Sequence, residues 1–163
     1  MRCREKQFGR VSTPIAVFAA RMPVAFGRFF GSISSLDKKL ALPFETIVLV
    51  RQQVARINGC EFCQDIGRWY ALKEKMSPAK LDALGEYATS SAFSESERAL
   101  LSYVTELTRD KAVSAATFAR LAQHYSDRDI CGIVWLVASE HVYNMTNIGL
   151  NIHSDGLCAL SSR

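Results

Sequence analysis

Apolar residues along this chain return at steps of three and four, the period of a helix that buries one face. Ile47, Val50, Val54 and Ile57 make such a stripe behind Pro43, a residue suited to a first helical turn because its missing N–H has no partner to lose there. The stripe stops at Asn58-Gly59, a helix-ending turn signal. A second helix is predicted from about Cys60, carrying Ile66, Trp69, Tyr70 and Leu72 to about Met76, and Ser77-Pro78 opens a short one with Leu81 and Leu84. Ser94-Glu95-Ser96-Glu97 has the form of a capping box, with Leu100, Leu101, Val104 and Leu107 following on one face. Ser114 and Thr117 open a further helix expected to turn Phe118, Leu121 and Ala122 inward. Asp127 is the candidate cap of a long final helix, whose expected inward stripe is Ile130, Val134, Val137, His141, Met145 and Ile148. No run alternates with period two for more than a few residues, so strands are not predicted. The fold class expected is all-α, a bundle of about six to eight helices.

Composition narrows this to one domain. A chain of 163 residues, 48% apolar and 22% charged, can bury a core and is too apolar to stay disordered. The expected organisation is a single domain over 1–163, with a basic flexible tail at 1–13 and a core at 42–150. Residues 88–96 read as an ordinary helix–helix loop. The longest apolar run, around Ile133–Ala138, is far short of the ~18 residues of a membrane helix, so no membrane partner is expected. The net charge of +4 is concentrated in residues 1–35, where Arg2, Arg4, Lys6, Arg10, Arg21 and Arg28 face Glu5 alone. The remaining body has no basic stripe interleaved with aromatic residues, which argues against nucleic acid. Pro14–Ala20 behind the basic start imitates a secretory leader, but the run is short and closed by Arg21 and Pro23. A basic tail leading into a first helix, in a cytoplasmic protein, is the expectation.

Cysteine usage adds the chemistry. Five cysteines, at 3, 60, 63, 131 and 158, are an odd and irregular set for a disulfide scaffold. Cys131 reads as a small buried hydrophobe, and Cys3 and Cys158 carry no motif. Cys60 and Cys63, three apart at a predicted helix start, are close enough to pair, and the unpaired N–H groups there favour a thiolate. A thiolate beside a second thiol can reduce a peroxide: one sulfur takes the peroxide oxygen and becomes a sulfenic acid, and the other condenses with it. By helix-dipole reasoning Cys60 is the more acidic of the two. Zinc requires four ligands, and only Cys131 and His141 are left to recruit, so neither metal nor cofactor is expected.

The segment Asn58-Gly59-Cys60-Glu61-Phe62-Cys63-Gln64-Asp65-Ile66, preceded by Leu49-Val50-Arg51 and Val54-Ala55, resembles the carboxymuconolactone decarboxylase family. Within it the match is to the alkylhydroperoxidase D-like branch, which keeps the cysteine pair. The resemblance covers Leu42–Met76, and the later helices agree in order through Leu150. It implies an all-helical fold, a homo-oligomer built on trimers (a trimer or hexamer), and thiol-dependent peroxidase activity. By the same resemblance Cys63 meets the peroxide and Cys60 resolves it. The family's peroxidases also carry a proton relay, a histidine at the position of Gly67 and a glutamate at the position of Val48.

Two residues are candidate substitutes for that relay. Glu45 lies about one turn before Val48, with a solvated first-turn glutamate as its plain reading. His141 falls on the apolar stripe of the last helix, either as a base near the thiols or as a core histidine with a partner. Asp65 should point away from Cys63 and be structural, and Glu140 should face another side and pair with Arg51 or Arg56. His124 and His153 are expected to be exposed; Trp69, Tyr70 and Trp135 are expected in core or oligomer contacts. The tail Ile152–Cys158, turning at Ser154-Asp155-Gly156, is expected to pack back onto the bundle. The function expected is a thiol-dependent hydroperoxide-reducing oxidoreductase, recycled by a dithiol reductant. Two alternatives stand beside it. One is a lyase or isomerase acting on a small organic acid or lactone, with His141 or Arg51 in its pocket. The other is a non-catalytic, redox-responsive oligomer.

Overall fold

The computed structural model describes residues 11–157, and all regular structure among them is helical. Helix α1 is Thr13–Arg21. Helix α2 runs on from it in three pieces, Pro23–Ala25, a π-helical Phe26–Phe30, and Gly31–Asp37. Then come α3 (Phe44–Asn58), α4 (Glu61–Lys73) and α5 (Pro78–Asp82), which tightens into a 3-10 turn at Ala83–Glu86. Helices α6 (Glu95–Asp110), α7 (Ala115–Ala122) and α8 (Asp127–Gly149) complete the bundle. No helix of the described residues is long and apolar enough to cross a membrane.

Helix α3 is the central post, packed against α4, α6 and α8. Its Leu49, Val50 and Val54 interlock with Leu100, Leu101 and Val104 of α6 and with Ile133, Leu136 and Val137 of α8. Each such side chain, fully buried, contributes about 1.5–3 kcal/mol, so this shared core dominates the stability of the bundle. Local signals set the boundaries. Ser94 and Glu97 form the expected capping box, each bonding the other's backbone N–H. The cap of α8 is Ser126 rather than Asp127, because its hydroxyl accepts from Asp129 N–H while the Asp129 carboxylate returns to Ser126 N–H.

The tail does pack back: Ile152 and Leu157 are buried against Phe62 and Trp69. Asp65 is structural, as expected, accepting from the Ser154 hydroxyl and the Leu157 N–H, both at 2.8 Å. His153 meets Glu61 at 3.0 Å. At the other end Thr13 donates from its N–H and hydroxyl to Asp155, at 3.0 and 2.6 Å. Of the flexible tail expected over 1–13, Ser12 is buried and Thr13 begins α1, while residues 1–10 lie outside the described residues.

Three burial expectations are overturned. On α8, Val134, Met145 and Ile148 are 41%, 53% and 42% exposed, while Glu140, Asn144 and Asn147 turn inward. The helix is accepted on that polar side because the three residues find hydrogen-bond partners there. Cys131 is exposed, lying on the same outward face three residues before Val134. On α7 only Leu121 is buried; Phe118 is exposed, its ring 6.4 Å from that of Tyr103, and Ala122 is exposed too.

Candidate functional site

Gly59 closes α3 with φ +73°, a left-handed conformation that costs glycine little. That turn folds the chain back so that Cys60 N–H bonds the carbonyl of Ala55 at 3.0 Å. Cys60 is then the N-cap of α4, and its Sγ accepts from Cys63 N–H at 3.3 Å. Cys60 and Cys63 are joined as a disulfide with Cα atoms 5.3 Å apart, and are 1% and 5% exposed. One of the otherwise unpaired amides of the helix start, that of Cys63, is thus aimed at sulfur.

The second wall comes from α8. Asn147 Nδ2 lies 3.3 Å from Cys63 Sγ and 4.0 Å from Cys60 Sγ, and the side chain is buried. One turn earlier, Asn144 donates to Glu140 Oε1 at 2.7 Å and accepts from Asn58 Nδ2 at 2.9 Å. Asn58 Nδ2 is also 3.1 Å from His141 Nδ1. A polar ladder therefore descends α8 from Glu140 to the sulfurs and grips the turn that precedes Cys60.

Charge is sparse in this interior. Burial pushes the Glu140 carboxyl up to about 7, against the opposing pull of Arg51 and of the Asn144 hydrogen bond. Arg51 itself is bound to Asp37 at 2.6 Å, and Trp135 Nε1 donates to the other Asp37 oxygen at 2.8 Å. Burial, with Lys111 nearby, holds His141 below the usual histidine range, which favours its neutral form.

The relay candidates fall apart from one another. Glu45 is half exposed and bound to Lys80 at 2.6 Å, a lysine that also holds Glu97. His141 reaches Asn58 rather than a sulfur, and its Nε2 is buried without a partner among the described residues. Glu140 is buried on the inner side of α8, where Arg51, one of its two expected partners, acts on its charge. Val48 is an apolar member of the core. Gly67 is explained by its neighbour: a Cβ there would fall 1.9 Å from Gln52 Nε2, which donates to the Cys63 carbonyl at 3.3 Å. The residues missed in the sequence are thus Gln52, Asn58, Asn144 and Asn147. The readable signal for two of them was polar residues at 140, 144 and 147, helically spaced on an otherwise apolar helix.

No protein-family model matches the chain. It is similar to the uncharacterized protein YnjA of Escherichia coli (strain K12), with 28% identity over 165 residues, 97% of this chain and 87% of YnjA. A solved protein of unknown function from Agrobacterium tumefaciens, given as a candidate antioxidant defence protein AhpD, superposes with TM-score 0.80 at 24% identity over 84% of this chain and 94% of its own. The debrominase Bmp8 in complex with 2,3,4-tribromopyrrole gives TM-score 0.83 at 20% identity, over 96% of this chain and 83% of its own. Its apo form gives 0.82 at 21%, over 94% and 82%. All-helical order, the hairpin of α3 and α4 and these superpositions together establish that the chain has the AhpD-like fold.

Proposed function

We propose that this protein is a thiol-dependent oxidoreductase that reduces hydroperoxides with the Cys60–Cys63 pair. The observation that supports it is the pair itself, bonded across the first turn of α4 with the Asn147 carboxamide against Cys63 Sγ. Cys63, the less buried of the two and the one touched by Asn147, is the attacking thiolate, in agreement with the resemblance. Its sulfur takes the terminal peroxide oxygen, the alcohol leaves with a proton, and Cys63 becomes a sulfenic acid. The Cys60 thiol then displaces water and closes the disulfide. Two electrons pass from the dithiol to the peroxide, and an external dithiol returns them by exchange.

Two neighbours in fold bear on the substrate. One, of unknown function, is a candidate antioxidant defence protein, and the other is a debrominase, so carbon–halogen compounds belong in the same assay. The outward stripe of α8, with exposed Val134, Ala138, Met145 and Ile148 and the half-buried His141 between them at alternating steps of four and three, has the spacing of a helix-packing seam. A homo-oligomer in which α8 meets a second copy is part of the proposal.

The test is a thiol count with intact mass on reduced protein given a slight excess of tert-butyl hydroperoxide. Rapid loss of two thiols, a two-hydrogen mass decrease and a Cys60–Cys63 cross-link on peptide mapping are expected. Thiols that survive for many minutes would overturn the reading, and so would turnover that persists in Cys60→Ser or Cys63→Ser.

A further inference from the structure

A cavity of about 240 Å3 lies beside the disulfide helix, and its lining has a regular chemistry. Helix α3 contributes Gln52 and Arg56, and α4 contributes Gln64 and Arg68, a carboxamide and a guanidinium one turn apart on each arm of the hairpin. Leu81 and Leu84, both buried, supply an apolar wall from α5 and its 3-10 turn. The volume is below the roughly 300–1,000 Å3 of sites for drug-sized ligands, so the occupant is small.

The charges in this lining are unequally engaged. Arg68 is held by Asp82 at 2.6 Å. Asp65, also at the cavity, already accepts from Ser154 and Leu157, so part of its charge is met. Arg56 spends one N–H on Gln53 Oε1 at 3.2 Å and has no carboxylate partner among the described residues. Gly85 stands beside its guanidinium, where a Cβ would come into ordinary contact with Nη1 at 3.7 Å, so a larger side chain there would crowd the charged end. Gln52 also donates to the backbone carbonyl of Cys63, so the cavity abuts the first turn of α4 without reaching the sulfurs.

We propose that this cavity seats a small organic monocarboxylate, its carboxylate on Arg56 with the two glutamines beside it and its apolar body on Leu81 and Leu84. An arginine fork matches a carboxylate in geometry as well as charge. This binding does not rest on the proposed function, since neither cysteine lines the cavity.

The experiment is calorimetric titration of the full-length protein with hexanoate and benzoate, and with hexanamide and benzamide as neutral counterparts. The acids are expected to bind, the amides about tenfold more weakly or worse. Arg56→Gln should weaken the acids by at least about tenfold, and Gly85→Leu, which covers the guanidinium without removing it, should do the same. Arg109→Gln, an exposed arginine on α6, should bind as the unaltered protein does. Equal binding of acids and amides, unchanged binding in Arg56→Gln and Gly85→Leu, or no binding of either acid at about 10 mM would each overturn the proposal. Thiol oxidation by tert-butyl hydroperoxide, which has no carboxylate, reports on the redox reading separately. Acids that bind to a protein with inert thiols would keep the site and remove that reading.

Discussion

The carboxamide of Gln52 occupies the space that any side chain at position 67 would need, with Nε2 only 1.9 Å from where a Cβ on Gly67 would stand. The two residues act as one unit: the absence of a side chain on α4 lets α3 reach the Cys63 carbonyl. Gly67→Ala should displace the amide and strand a buried polar group, at about 1–3 kcal/mol, offset in part by better helix propensity. In a Gln52→Ala background the cost should shrink or change sign. Urea unfolding of the four proteins in the cycle measures the coupling, and simple additivity would refute it.

Asn147 gives a second prediction. A hydrogen bond to a charged group contributes about 1.5–3 kcal/mol, so removing this donor with Asn147→Leu should raise the Cys63 thiol by about one to two pKa units. At neutral pH the reaction with peroxide should slow by about tenfold or more, and recover as pH rises. The pH profile of alkylation of the reduced protein reads this directly.

Glu140 makes stability depend on pH. Its carboxyl is lifted from 4.5 to about 7 in the fold, so the folded state binds the proton more tightly than the unfolded chain does. Stability is therefore fullest below about 4.5 on this account and falls as pH rises toward about 7, by about 3 kcal/mol in total. Glu140→Gln keeps an oxygen to accept from Asn144 and should flatten that decline. Thermal melts from pH 4.5 to 8 compare the two slopes.

The exposed seam on α8 yields a prediction about assembly. Met145, at 53% the most exposed of the seam's large apolar residues, lies within it, and a charge there should prevent a second copy from docking. Sedimentation of Met145→Arg should show a smaller species than the unaltered protein, with the same helical content. Equal masses would refute a role for this face.

Short-range signals carried most of the fold. The Asn58-Gly59 stop, the Ser94–Glu97 box and the cysteine-bearing start of α4 were all legible because each depends on residues within one turn of one another. The orientation of α8 was not. That helix has apolar residues on two sides, and the more regular series, through Val134, Met145 and Ile148, is the one facing out. Its inner side is marked in the sequence only by the helically spaced polar residues at 140, 144 and 147, whose partners lie across the bundle, where Asn144 meets Asn58 and Asn147 meets Cys63. Gln52 was hidden for the same reason: a glutamine reads as solvated until the glycine opposite it is seen.

The bond between Thr13 and Asp155 joins positions 142 residues apart in sequence. Fraying from either direction must break the same pair of hydrogen bonds, so α1 and the stretch after α8 should loosen together. Val17 of α1 and Ile152 and Leu157 of that stretch also share an apolar cluster with Phe62 and Trp69, on the flank of the helix that holds the disulfide. Hydrogen-exchange protection should thus be lost in step at Ala16 and Leu157, two amides far apart on the chain that report one opening event.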